Sequence, residues 1–222
     1  MYSLERIREK IWHLQFQEEY DLTMHFLRYQ EYYESPKFMK KSVPIVDIMD
    51  WYQKHLGNGV FTYPRDWAGF NLPGETIFEL HNKGIEDVNR YDRFMIGTAE
   101  FIRSKENSDE FYIIGTCKQD VELNITFNHE LCHALYFVDL KYKDAMTKLV
   151  SNLPKKEKSF IFRKLKKQGY HEDVFIDECQ AYLATDLDTD FDTQVIRDLR
   201  EPFVKIFNKF STKMRKKVRI TK

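Results

Sequence analysis

Phe127-Asn128-His129-Glu130-Leu131-Cys132-His133-Ala134 is the stretch on which the reading of this chain turns. His129 and His133 stand four residues apart. On an α-helix that spacing puts both imidazoles on one face, about one turn apart, where they can share a metal ion. The flanking residues support a helix over about 122–139. Val121, Ile125, His129, His133 and Phe137 form one i,i+4 row, and Leu123, Phe127, Leu131, Leu135 and Val138 form an apolar row beside it. Val121 to Thr126 also alternates as a strand would, which leaves the helix start open by several residues. Such a helix is buried on most sides, with its histidines facing a cleft.

Neutral imidazole is a good zinc ligand, at about 2.0–2.1 Å. Glu130 directly follows the first histidine, so its carboxylate can reach a water at the metal without binding the metal itself. That is the position of a general base for attack on a carbonyl. The structural alternative is a pair of core histidines that hydrogen-bond to their neighbours. A catalytic zinc site keeps one open position and needs a third protein ligand. The best candidate is Glu178, in His171-Glu172-Asp173-Val174-Phe175-Ile176-Asp177-Glu178-Cys179-Gln180-Ala181-Tyr182. On a helix over about 172–185, Val174, Glu178, Ala181, Tyr182 and Thr185 share a face, and an acid among such neighbours calls for a partner. The alternative is a partly exposed glutamate beside Asp177. Asp177 points roughly 100° away, behind the ligands or into solvent.

The two stretches, Phe127 to Ala134 and Asp177 to Tyr182, resemble the gluzincin branch of the zincin metallopeptidases. The resemblance covers about residues 93–186. It implies an α+β fold in which a small, twisted, mostly antiparallel sheet packs on the active-site helix and an edge strand pairs with the substrate backbone. It implies Zn²⁺ held by His129, His133 and Glu178, with Glu130 as general base and a peptide or protein as substrate. Many gluzincins carry an aspartate four residues after the ligand glutamate; here that position is Tyr182. Tyr182 and His171, seven residues before Glu178, are the candidate transition-state donors, and His171 reads equally as a polar helix N-terminal residue. His-Glu-Leu-Cys-His-Ala also resembles the SprT-like proteases that act on DNA-bound proteins. That family has a histidine third ligand and a four-cysteine zinc ribbon, which three cysteines cannot build. A third reading is a zinc-stabilised binding module without catalysis.

Working outward, residues 2–35 hold no Gly or Pro, and Ile7, Ile11, Leu14 and Phe16 begin a stripe at roughly helical spacing. The spacing predicts one long helix there and a second over about 43–56, stopped by Gly57. Residues 60–73, aromatic and Pro-containing, read as loop with short extended pieces and as a possible cleft wall. Strands are expected at 76–80, 93–99 and 110–116, the last two as a hairpin with the final one just before the active-site helix. Helices are expected over about 154–167 and 193–211, the latter broken near Pro202. The tail 213–222 is basic and reads as frayed. The expected organisation is one domain over 1–222, with a helical part over 1–58, a sheet region over 59–118 and a helical, metal-bearing part over 119–222.

Composition narrows the function classes. The 222 residues include 18 Phe, 13 Tyr and 3 Trp, enough to build a core and argue against global disorder. Lys+Arg and Asp+Glu are both 35, so no overall field draws the chain to nucleic acid or membrane. Lys155 to Lys167 and 213–222 are basic clusters, read as a solvated helix face and a tail that could contact phosphates. Cys117, Cys132 and Cys179 are too few for a disulfide framework and read as buried small residues. With no apolar signal core and no run of roughly 20 apolar residues, the chain reads as cytoplasmic, with no membrane partner and an open oligomeric state. Asp186, Asp188, Asp190 and Asp192 alternate, but Phe191 and Arg197 stand where a calcium loop needs Gly and Glu. They read as an acidic turn, with Asp192 capping the next helix.

Overall fold

The computed structural model describes residues 1–185, 192–212 and 218–221. The chain starts with a hairpin, β1 (Tyr2–Arg8) and β2 (Ile11–Phe16), turned at Lys10, whose φ is 63°. The long helix expected over 2–35 is therefore confined to α1 (Glu19–Glu34). Ile7, Ile11 and Leu14 imitate a helical stripe. The set that decides the structure is Trp12, Leu14 and Phe16, all buried with period two.

Helix α2 (Ile45–His55) matches expectation, and a short α3 (Tyr63–Asp66) leads into β3 (Gly69–Pro73). The two strands expected next are helices, α4 (Gly74–Lys83) and α5 (Arg90–Glu106). In α4, Thr76, Ile77 and Leu80 are buried at helical spacing, and Gly84 ends the helix at φ 87°. In α5, Asn89 and Asp92 form a reciprocal capping box, and Met95, Ala99 and Ile102 bury one face. β-branched and aromatic content suggested strands there; capping and the 3.6-residue period decide otherwise.

β4 (Tyr112–Cys117) forms where a strand is expected, but not in the expected hairpin. It pairs antiparallel with β3 and parallel with β2. The five strands run in the order β3-β4-β2-β1-β5, where β5 (Val218–Thr221) pairs antiparallel with β1. The 218–221 part of the tail thus joins the sheet rather than fraying. The first 58 residues contribute two central strands, so they are not a purely helical part. The coarse expectation holds: the fold is α+β, with a small, mostly antiparallel sheet packed on the helix around 122–139.

That helix is α6 (Leu123–Val138), followed by α7 (Leu140–Ser151), α8 (Lys155–Lys167), a 3-10 turn (Glu172–Val174) and α9 (Phe175–Ala184). The last helices are α10 (Gln194–Leu199) and α11 (Glu201–Ser211), with Pro202 in the first turn of α11 at the expected break. The side chain of Thr193, not Asp192, caps α10; Asp192 instead pairs with Arg197. Asp186, Asp188 and Asp190 lie outside the described residues.

Each face of the sheet carries its own core. Trp12, Leu14, Phe16, Phe70, Leu72 and Ile113 pack with α1, α2, α4 and α5. Ile11, Tyr112 and Ile114 pack under residues of α6, α7, α9 and α11. β4 is thus clamped between α1 and α6. At Gly115 the approach of α1 leaves no room: a Cβ would stand 2.6 Å from two ring atoms of Phe26 and 3.0 Å from Leu22 Cδ1. Gly115→Val should overpack this contact at a cost of about 1–3 kcal/mol. That lowers the melting temperature by several degrees, read by thermal denaturation; an unchanged melt would contradict the packing described.

Candidate metal centre

Helix α6 is hydrophobic enough to run through the interior, and Glu130 to Leu135 are all buried. Its start resolves the ambiguity at 121–126: Val121 precedes the helix and is 98% exposed. Ile125, His129 and His133 of the same row do line a cleft of about 680 Å³. The expected wall, 60–73, contributes Asp66, Trp67, Ala68, Gly69 and Asn71 to that cleft.

Packing of α9 on α6 brings Glu178 to the two histidines. Glu178 Oε2 lies 3.8 Å from His129 Nε2, and Oε1 lies 3.7 Å from His133 Nε2. One donor atom from each of the three residues falls within 4.8 Å of the others. A tetrahedral zinc with ligands near 2 Å has donor–donor edges of ~3.3 Å, so a small inward movement of these side chains would accommodate the ion. Glu178 is 3% exposed, and its Oε2 is buried without a hydrogen-bond partner among the described residues. A carboxylate oxygen in that state is costly unless a cation meets it. The donor set, two imidazoles and a carboxylate, suits zinc.

The next layer of contacts fixes the candidate ligands. Asp177 Oδ1 lies 3.1 Å from His133 Nδ1 and accepts from Gln180 Nε2 at 2.9 Å. Tyr142, whose hydroxyl donates to Gln180 Oε1 at 2.9 Å, completes the chain. Asp177 thus stands behind His133, one of the two places its helical position allowed, and leaves His133 Nε2 facing Glu178. Burial disfavours the charged form of His133, yet Asp177 and Glu178 outweigh it and raise its pKa well above the ordinary value. A proton and a metal ion are alternative ways to balance those two acids.

His129 is held differently. Its Nδ1 lies 3.5 Å from Thr185 Oγ1, and the ring of Tyr182 meets it nearly edge-on, with centroids 4.7 Å apart. Tyr182 lines the cleft, with its hydroxyl 3.3 Å from that of Tyr170. His171 is not brought to the cluster. It precedes the 3-10 turn, where its ring accepts from the backbone N–H of Asp173 and lies beside that residue's carboxylate. The helix expected to carry it inward starts only at Phe175, so the seven-residue spacing to Glu178 does not put both on one face.

Glu130 is 7% exposed. Burial pushes its carboxyl pKa up, opposed by His129, His133 and a hydrogen bond from Asn71. Cys132 and Cys179 are buried beside the ligands, and burial pushes both thiols up, Cys179 to about 12. They remain neutral thiols, as expected of small core residues. Among the contributors to the site that the sequence did not single out are Asn71, Tyr170 and Glu34. Burial and the neighbouring Glu178 hold the Glu34 carboxyl well above the ordinary range. The alternation Gly69-Phe70-Asn71-Leu72 was the one available signal for Asn71. Nothing local marks Glu34 on α1 or Tyr170 before the 3-10 turn.

His129→Ala and Glu178→Gln should each abolish stoichiometric zinc retention by the purified protein, measured by elemental analysis after gel filtration. Full zinc content in both variants would remove these residues from the ligand set. No family model, curated protein or solved structure matches the chain, so the case for a metal centre stands on the convergence of His129, His133 and Glu178.

Proposed function

We propose that the protein is a zinc-dependent metallohydrolase of the zincin kind that cleaves amide bonds in peptides or proteins. The observation that carries this reading is a two-histidine, one-carboxylate cluster with a further buried carboxylate, Glu130, next to the first histidine. Zinc held by His129, His133 and Glu178 would polarise the scissile carbonyl and acidify a water. Glu130 takes the proton of the attacking water and passes it to the departing amine. Its burial favours uptake of that proton, because a carboxyl shielded from solvent holds a proton more readily than an exposed one. Tyr182, lining the same cleft, is the candidate donor to the developing oxyanion.

The neighbouring strand supports a peptide as substrate. β3 ends the sheet order, and its Gly69 and Asn71 line the cleft. An extended chain can add to such an edge through main-chain hydrogen bonds. Strand 110–116 was expected to hold this place, but β4 is internal and β3 borders the cleft. The lining also includes the carboxyl groups of Glu34, Asp66, Glu122, Glu130 and Glu178 and no Lys or Arg among the described residues. That disfavours polyanions in the cleft and weighs against the DNA-associated reading. Three unpaired cysteines fit a reducing, cytoplasmic setting, and no helix among the described residues is long and apolar enough to cross a membrane.

Glu130→Gln tests catalysis apart from metal binding. The variant should keep its zinc and lose about 10²- to 10⁴-fold in turnover of an unfolded protein such as casein. Wild-type turnover should vanish with a chelator and return with zinc. If zinc-loaded wild-type protein cleaves no more than Glu130→Gln, the hydrolase reading gives way to the zinc-stabilised binding module.

A further inference from the structure

We propose that strand β3 seats the general base: Asn71, itself held by Tyr112, is a positioning residue that keeps one oxygen of Glu130 fixed and the carboxylate off the metal. This rests on the hydrolase reading above and adds a role for residues that the sequence did not single out.

The strand divides its side chains cleanly. Phe70 and Leu72 are buried in the core shared with α1, while Gly69 and Asn71 lie on the opposite face, toward α6. Asn71 Nδ2 donates to Glu130 Oε2 at 2.5 Å, and Asn71 Oδ1 accepts from the hydroxyl of Tyr112. Both Asn71 and Tyr112 are buried, at 6% and 1% exposure. An ionised Glu130 carboxylate can only accept, so it selects the amide orientation that presents Nδ2, and the phenol, which can donate or accept, then donates to Oδ1. The other oxygen, Oε1, lies over Gly69, where a Cβ would stand 2.6 Å from it and 2.6 Å from Thr126 Cγ2. β3 therefore offers Glu130 one donor and one gap, in an i,i+2 pair on one face of the strand. One carboxylate oxygen is anchored, and the other sits over the gap left by Gly69.

The arrangement answers a chemical problem. Glu130 is a carboxylate beside two imidazoles and is itself a competent metal ligand. A glutamate side chain free to rotate could turn to the metal and cease to act as a base. The amide of Asn71 stabilises the charged carboxylate where it stands. Since Tyr112 lies on β4, the same strand that supports α6, the base and the histidines are referenced to one sheet.

Two measurements test this. In the metal-free protein, melting shifts for Asn71→Ala, Glu130→Ala and the double variant should be non-additive, because each single change removes the same contact. In the zinc-loaded protein, Asn71→Ala should lower kcat on casein by about 10- to 100-fold with KM and zinc content unchanged, the scale expected when a reacting group is misplaced. Tyr112→Phe keeps the ring packing and should show a smaller loss of the same kind. Asn71→Asp, the same shape without the donor and with a second negative charge, should lose at least as much as Asn71→Ala. Additive melting shifts, or an unchanged kcat in both Asn71→Ala and Tyr112→Phe, would overturn the proposal. Non-additive shifts in a protein whose wild type binds zinc and cleaves nothing would defeat the hydrolase reading instead and take the positioning role with it.

Discussion

Asp177 and Glu178 sit on the first turn of α9, and the packing of α9 on α6 presses both against His133. Glu178 is buried and Asp177 half-buried, and one imidazole, even when protonated, does not balance both carboxylates. Asp177 spreads its charge over His133 and Gln180. Glu178 approaches the imidazoles only at 3.7–3.8 Å, and its Oε2 is buried with no hydrogen-bond partner among the described residues. An uncompensated carboxylate in such a place costs several kcal/mol. The cluster of His129, His133 and Glu178 is thus a place where a positive charge would be stabilised. Burial is the main reason the ionisation of Glu34, Glu130 and Tyr170 is suppressed, and the charge of Glu178 adds to it, while at Glu130 the two histidines and Asn71 oppose it.

Holding such a site open requires a stiff frame, and the sheet supplies it. β4 takes α1 on one face and α6 on the other, and close approach at Gly115 leaves little freedom to shift. Its parallel pairing with β2 joins segments about a hundred residues apart, so the amino-terminal hairpin braces a strand next to the site. β3 then lies along the free side of β4, with Asn71 and Gly69 against Glu130. Three elements contribute different chemistry. α6 carries both histidines and Glu130, α9 carries Glu178 and Asp177 behind His133, and β3 carries Asn71, which bonds Glu130.

What could be read from the sequence follows from how local each feature is. The α6 motif is legible because helical spacing alone brings His129, Glu130 and His133 together. Glu178 is legible because an acid on an apolar helical face needs a partner. The amino-terminal hairpin is misread because Ile7, Ile11 and Leu14 fall at helical intervals, while the deciding alternation of Trp12, Leu14 and Phe16 spans only five residues. Segments 76–80 and 93–99 are misread because side-chain composition favours strands; the Asn89–Asp92 capping box is the stronger signal. His171 is misplaced because the helix extrapolated from Glu178 stops short of it. Asn71, Tyr112 and Glu34 come to the site from distant points of the chain, and no local pattern announces a contact made through the tertiary fold.

The identity of the residues around Glu130 shows what constrains β3. A strand meant only to cover the core could carry a large apolar side chain at position 71. A buried amide there would be a net cost unless both ends were satisfied, and both are: the donor by Glu130 and the acceptor by Tyr112. Position 69 would gain β propensity from a larger residue, yet any Cβ meets Glu130 and Thr126. Both positions therefore give up strand stability that an ordinary cover would keep. The loss is understandable if the carboxylate of Glu130 must stay ionisable, fixed and clear of the donors beside it, which is what a base next to a metal centre needs and a structural glutamate does not.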